Sequence, residues 1–300
     1  MLESGRCHRQ GILRSLQTLG NLLISHGTFF ANASCDPFSR PQDQCVKGAY
    51  VQYAVRAAST ADYQATLAFA TTRRIRLVIR NTGHDYFGKS TGAGALALWT
   101  HFLKDTAVID DYKSPGYRGP AMKLGAGVSG YEVYAAADAA GLVVVAGACP
   151  TVGTTGGYLQ GGGHGPLNSR FGLGADQALE WEVVTADGKR LTASPVQHSD
   201  LFWALSGGGG GTYAAVVSVT VRAHRLAVLS AASLNFTTVG VSDDVFYEAA
   251  KTYIMSLPAL TRKGTWNSWL LTPGTFSLSP VVGPDLRAPE LEALLRPTLP

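Results

Sequence analysis

Charge is scarce in this chain. Of its 300 residues, 15% are Asp, Glu, Lys or Arg and the formal net charge is +4. No block of consecutive Lys and Arg occurs, which argues against a nucleic-acid partner or an anionic membrane surface. Long apolar runs are missing as well, and none reaches the roughly 18 residues needed to span a bilayer, so a membrane role is not expected. The 46% hydrophobic content still allows a sizeable core, in one large domain or two ordinary ones. Cysteines number only four and divide unevenly. Cys35 and Cys45 lie close together in a Pro/Asp-rich loop and are expected to form a disulfide, whereas Cys7 and Cys149 have no nearby partner in sequence. Such a bridge needs an oxidising compartment, and the sequons Asn32-Ala33-Ser34 and Asn235-Phe236-Thr237 are compatible with one. Two free thiols and two chance sequons are the alternative. A secretory route is therefore expected, although the apolar stretch from Leu19 to Ile24 is broken and no clean A-x-A site follows, so no signal peptide is legible.

What the chain does have is glycine, 35 of them. They show no collagen period and sit beside apolar runs, which marks turns and ligand loops. The pattern predicts an α/β (α+β) fold in three stretches: a leader and loop over 1–44, a ligand-binding domain over 45–225, and a new unit over 226–300 that stops before it looks complete. Ser59 and Asp62 form a capping-box-like pair before DYQATLAFATT, whose apolar positions Tyr63, Leu67 and Ala70 repeat at helical spacing. IRLVI, 75–79, is a β-branched run ending at the Arg80-Asn81-Thr82-Gly83-His84 loop, the place where ligands bind in many α/β sheets. A strand, a glycine turn and a helix to Ala140 follow, then a Gly141 stop and a buried strand from Leu142 to Ala146. ALEWEVVTADGKRLTAS alternates about Asp187-Gly188, a hairpin signal. DLFWALSGGGGGTYAAVVSVTVRAHR gives a short helix, a five-glycine turn and a strand. VFYEAAKTYIMSL reads as a helix, and the Pro/Gly-rich TPGTFSLSPVVGPDLRAP offers no pocket to read.

Two glycine motifs point to nucleotides and need weighing. Gly83 to Ser90 fits G-x-x-x-x-G-K-S after a strand, but a phosphate-binding loop needs a helix directly behind it to supply free N–H groups. TGAGALALW follows instead, with Gly92 and Gly94 each costing roughly 1 kcal/mol in a helix interior. The acidic AVIDD at 107–111 arrives too soon for a crossover helix. Gly125 to Gly130 fits G-x-G-x-x-G between a strand and a helix, yet no Asp or Glu ends the next strand to hold a ribose. A tight turn packed by small residues is the favoured reading there.

His84 and Cys149 carry the chemistry. A lone His is more often structural and a lone Cys more often a small hydrophobe. Both here sit in glycine-rich loops, His84 after Gly83 at a strand end and Cys149 before Pro150 and a run of Gly and Thr, where backbone donors favour a thiolate. Sixty-five positions separate them, so only the fold can bring them together.

RNTGHDYFGKSTGAGALALWTHFLK, GACPTVGTTGGYLQGGGHGPLNSRFGLGADQALEWEVVTADG and DLFWALSGGGGGTY together resemble the vanillyl-alcohol-oxidase superfamily, and within it the berberine-bridge-enzyme-like oxidases of fungal type. The resemblance spans roughly residues 31–240. It implies a two-subdomain PCMH-type FAD-binding domain followed by an incomplete substrate domain, with the flavin joined through its 8α carbon to His84 and its C6 to Cys149. It places Asn81, Thr82, Gly83, Asp85, Gly88, Lys89 and Ser90 along the pyrophosphate and flavin, and Thr151, Gly153, Gly157, Gln160, Gly163, His164 and Gly165 around the rest of the site. No metal is implied. The implied chemistry is hydride transfer from an alcohol, a sugar or a C–H beside a heteroatom to FAD, which molecular oxygen reoxidises with release of peroxide. Relatives continue for a further one to three hundred residues that carry their catalytic base, so no catalytic residue is assigned here. A flavin-binding chain without turnover is the alternative, ahead of a P-loop or NAD-binding enzyme.

Overall fold

The computed structural model describes residues 40–44 and 46–298, which form three sheets with helices packed between and against them. Cys7, Cys35, Cys45 and the Asn32 sequon lie outside the described residues, and so does the expected disulfide.

The first sheet is small and parallel. It runs β1 (Tyr53–Arg56), α1 (Thr60–Thr72), β2 (Leu77–Arg80) and β3 (Leu96–Trp99), in the order β1-β3-β2. The capping box at α1 forms: the Ser59 hydroxyl accepts from the Asp62 N–H, and the Asp62 carboxylate accepts from the Ser59 N–H at 2.8 Å. Tyr63, Leu67 and Ala70 are all buried, and the Tyr63 hydroxyl donates to the Val216 carbonyl at 3.0 Å. β2 starts two residues later than expected, because the Ile75 N–H is already taken by the Ala70 carbonyl in the closing turn of α1, at 2.9 Å. β2 and β3 are parallel neighbours, and such pairs are usually joined by a crossover helix. Here residues 81–95 make the connection with no helix among them, so the context a P-loop requires is missing.

The second sheet has five antiparallel strands in the order β4-β5-β8-β6-β7. Its elements are β4 (Thr106–Ser114), β5 (Tyr117–Gly125), α2 (Gly130–Ala139), a one-turn α3 (Asn168–Phe171), β6 (Ala178–Val184), β7 (Arg190–Ala193), α4 (Ser199–Leu205) and β8 (Ala215–Arg222). The expected hairpin is β6 to β7, with Gly188 at φ +80° in its turn. Leu142 to Ala146 is buried as expected but is not a strand. It pairs only at Val143, which exchanges two 2.8 Å bonds with His224. The Tyr134 hydroxyl reaches the Ala146 and Gly147 carbonyls at 2.7 and 3.0 Å, so side-chain bonding replaces the ladder there.

Two cores hold these sheets together. Trp181, Met122, Leu124, Val133 and Leu205 join the second sheet to α2 and α4. Tyr63, Leu67, Leu98 and Val184 join it to the first sheet. After β8 the chain enters a third sheet, with β9 (Leu229–Thr237), α5 (Asp243–Arg262), β10 (Trp266–Thr272), β11 (Thr275–Pro284) and α6 (Ala288–Leu295). The Pro/Gly-rich tail, in which the sequence offered no pocket to read, supplies β11, the middle strand of β10-β11-β9. Its Pro273-Gly274 pair turns the hairpin, and Ala288 helps line a cavity of about 210 Å³ between β9 and α6.

Candidate functional site

Three glycine-rich loops converge beside the small sheet: 81–90 from the end of β2, 149–165 after α2, and 207–212 after α4. The turn from Gly125 to Gly130 explains how the second is held. A Cβ on Gly125 would lie 2.5 Å from the Leu103 carbonyl oxygen, on Gly127 2.2 Å from that of His101, and on Gly130 3.0 Å from that of Cys149. These glycines therefore permit backbone against backbone, in agreement with the packed-turn reading. The first N–H groups of α2 are also spoken for: Gly130 donates to the Val152 carbonyl and Tyr131 to the Pro150 carbonyl, both at 2.9 Å. A helix N-terminus that could hold phosphate is instead used to strap the Cys149 loop in place. Glu132 completes the cap by accepting from the Ser129 N–H and from Lys104, each at 2.8 Å.

That strap brings the two reactive groups together. The Thr151 hydroxyl lies 2.8 Å from His84 Nε2 and 3.6 Å from Cys149 Sγ. The expected thiolate donors were backbone N–H groups, and the neighbour found is this hydroxyl. His84 is half-buried and Cys149 exposed, so a ligand can reach the thiol.

Asn81 is the clamp between loops. Its side-chain amide N–H donates to the Ala126 carbonyl, and the Asn81 backbone carbonyl accepts from Trp99 Nε1 at 2.9 Å. A Cβ on Gly153 or on Gly156 would come within 2.6 Å of the Asn81 amide nitrogen, so both glycines are demanded by close approach. Thr82 follows Asn81 in the partly buried stretch. Gly83, at φ +88°, turns the chain under the Arg80 guanidinium, 2.6 Å from where a Cβ would stand. Burial pulls the Arg80 pKa down. Asp85 organises the next turn. Burial by itself raises its carboxyl, but bonds from the Ser90 hydroxyl and from the Lys89, Ser90 and Phe87 N–H groups outweigh this and hold it below the usual carboxylate range. Gly88, at φ +69°, permits that turn.

The five-glycine turn closes the cluster. The Gly209 N–H donates to the Gln160 carbonyl at 2.7 Å, a Cβ on Gly209 would lie 3.5 Å from Lys89 Nζ, and one on Gly210 would lie 3.2 Å from Gly157 Cα. Gly163 and Gly165 serve packing, against Tyr158 and against the Ala146 carbonyl. His164, between these two glycines, is exposed. Gly156 and Tyr158 also line these loops but were not singled out in the sequence, and Arg80 and the 209–211 glycines were seen there only as parts of a loop and a turn; Gly156, next to the chosen Gly157, was the most accessible of them.

Six buried side-chain polar atoms among the described residues have no hydrogen-bond partner, and four of them line these loops: Asn81 Oδ1, Thr155 Oγ1, Tyr158 OH and Gln160 Oε1. Leaving such an atom unpaired costs about 1–3 kcal/mol, so four together mark a place shaped for a polar ligand. Close-set glycines for an extended ring and phosphates, orphaned polar atoms, and an imidazole and thiol within one hydroxyl's reach all fit FAD.

The fold and site thus define a flavin-nucleotide-binding domain. Residues 51–194 match a family model described as FAD binding domain. The chain is 51% identical over 271 residues to the FAD-linked oxidoreductase sor8 of Hypocrea jecorina, covering 90% of this chain and 47% of that protein. It is 49% identical to the FAD-linked oxidoreductase sthB of Phaeosphaeria nodorum, covering 90% of this chain and 86% of that one. Among solved structures, the VAO-type flavoprotein MtVAO615 from Myceliophthora thermophila superposes with a TM-score of 0.89 at 44% identity, over 99% of this chain and 56% of its own. The chain belongs to the VAO-type FAD-linked oxidoreductases, and it spans about half the length of several of the relatives it matches.

Proposed function

We propose that this chain holds FAD covalently at two points, His84 and Cys149, for the oxidation of a small organic substrate such as an alcohol or a sugar, with molecular oxygen as the final electron acceptor. The observation that carries this reading is the shared hydroxyl of Thr151, which sets an imidazole and an exposed thiol side by side in a glycine-lined cleft. FAD supplies the hydride acceptor when bound. The protein's part is placement. Asn81, Thr155, Tyr158 and Gln160 offer their unpaired polar atoms to it, Gly153, Gly156 and Gly210 let backbone approach it, and Lys89 brings a positive charge beside the 209–211 turn for its phosphates. Asp85 spends its charge on the turn and is not available as a base. A secreted setting agrees with the exposed Asn235 sequon on β9.

Anaerobic mixing of the flavin-loaded protein with a panel of primary alcohols and sugars tests the activity. Bleaching of the flavin absorbance by at least one substrate, followed by peroxide release when oxygen is admitted, is the expected result. A loaded protein that no member bleaches contradicts it.

A further inference from the structure

Thr151 stands between two groups with opposite proton needs. Its hydroxyl is 2.8 Å from His84 Nε2 and 3.6 Å from Cys149 Sγ, the latter a normal reach for the larger sulfur atom. A hydroxyl has one proton to give and two lone pairs to receive, so it can serve both neighbours at once. The carbonyls on either side of Thr151, those of Pro150 and Val152, are tied to the first N–H groups of α2 at 2.9 Å, so its position is set by a helix end.

We infer that Thr151 is a positioning residue and proton relay that couples the two anchors. The Cys149 S–H bond breaks as a new bond forms to Thr151 Oγ1, and the original Oγ1–H bond breaks as one forms to His84 Nε2. The products are a thiolate and an imidazolium; one proton has moved across, no electrons have been transferred and no co-reactant is consumed. The thiolate, and not the thiol, is the form that acts as a nucleophile. The charged and titratable groups on the elements packed here include Arg80 over Gly83, Asp85 next to His84 in the chain, Lys89 facing the 209–211 turn, the Lys104–Glu132 pair at the start of α2, and His101, which feels Lys104, Glu132 and Arg80. Arg80 contacts the Ser90 carbonyl at 3.5 Å, Asp85 is bonded to the 87–90 turn, and the pair closes at 2.8 Å. The relay's use in flavin attachment rests on the two-anchor reading above; the relay itself does not.

Wild type, Thr151→Ser, Thr151→Val and Thr151→Ala are expressed at full length and digested, and flavin mass is quantified separately on the His84 and Cys149 peptides. Any Cys149 thiol left unlinked is titrated for iodoacetamide alkylation between pH 6 and 9.5. The relay predicts wild-type attachment in Thr151→Ser. In Thr151→Val and Thr151→Ala it predicts a loss of about tenfold or more at the Cys149 peptide with the His84 peptide still labelled, and alkylation that rises only towards pH 8.5. Full Cys149 labelling in Thr151→Val, or a Thr151→Ser variant as poor as Thr151→Val, overturns it. If wild type carries flavin on neither peptide, the anchor reading fails by itself. The relay then stands or falls on whether wild-type Cys149 alkylates about tenfold faster than Thr151→Val at pH 6.5, or at the same rate.

Discussion

The region from Asn81 to Arg222 and the third sheet with its two helices handle buried polarity in opposite ways. All six unpartnered buried side-chain polar atoms among the described residues fall in the first, and none from residue 226 onward. The third sheet instead closes on aromatics. Phe276 stacks on Phe236 at 4.8 Å and meets Tyr253 edge-on at 5.1 Å, while the Tyr253 hydroxyl reaches Asn267 at 3.2 Å. One region has polar demands that it does not meet from within; the other is self-sufficient. A cluster of orphaned polar atoms in a well-packed protein points to where a ligand belongs, and a satisfied aromatic core points to scaffold.

The largest expected effect tests the scaffold side. Phe276 is fully buried in the cluster of Phe246, Tyr253 and Leu278, so Phe276→Ala should cost about 3–5 kcal/mol. Urea unfolding should show that loss while flavin retained per folded molecule stays at the wild-type level; a fall in that ratio would blur the division between the two regions. Gly153→Ala tests the ligand side. Gly153 has φ −69° and ψ 109°, which any residue adopts, so the penalty is steric alone. The new methyl meets the clamped Asn81 amide at 2.6–2.9 Å, and overpacking of this kind costs about 1–3 kcal/mol. Here flavin per folded molecule should fall, as read from the ratio of visible to ultraviolet absorbance.

The smallest effect lies at the seam. His224 stacks on Phe171 at 4.0 Å and bonds Gln177 at 2.9 Å. Burial first, then the nearby Arg222 and Arg170, push its pKa from 6.5 down to about 4. The unfolded chain takes up a proton near pH 6.5 and the folded one only near 4, so stability is full above the first value and falls as pH drops through the window between them. Allowing for solvent screening, the loss should reach about 1–2 kcal/mol at pH 4. In His224→Gln, which binds no proton, thermal unfolding at pH 7 and pH 4.5 should differ correspondingly less.

Features set by neighbouring residues were readable from the sequence. The Ser59 and Asp62 box and the Asp187-Gly188 hairpin each depend on a few adjacent residues, and the small residues of the Gly125 turn were visible although the backbone they pack against, at Leu103, His101 and Cys149, was not. Leu142 to Ala146 was misread because its apolar run fits a strand equally well; Tyr134, from another element, decides otherwise. β11 was hidden because proline and glycine suppress strand signals, although its Pro273-Gly274 turn was in view. The candidate anchors were legible as residues in special loops, but their meeting was not, since it depends on the end of α2 gripping the Pro150 and Val152 carbonyls. Thr151 was named only through the family resemblance, and its bridging position exists only in three dimensions.

The central claim is that His84 and Cys149 both hold the flavin. The most direct test precipitates wild type, His84→Ala, Cys149→Ala and the double variant with acid and follows yellow colour and flavin fluorescence into the pellet. The account predicts colour retained by wild type and by each single variant and lost only in the double. A folded wild-type protein that releases its flavin into the supernatant, or carries none, would contradict it.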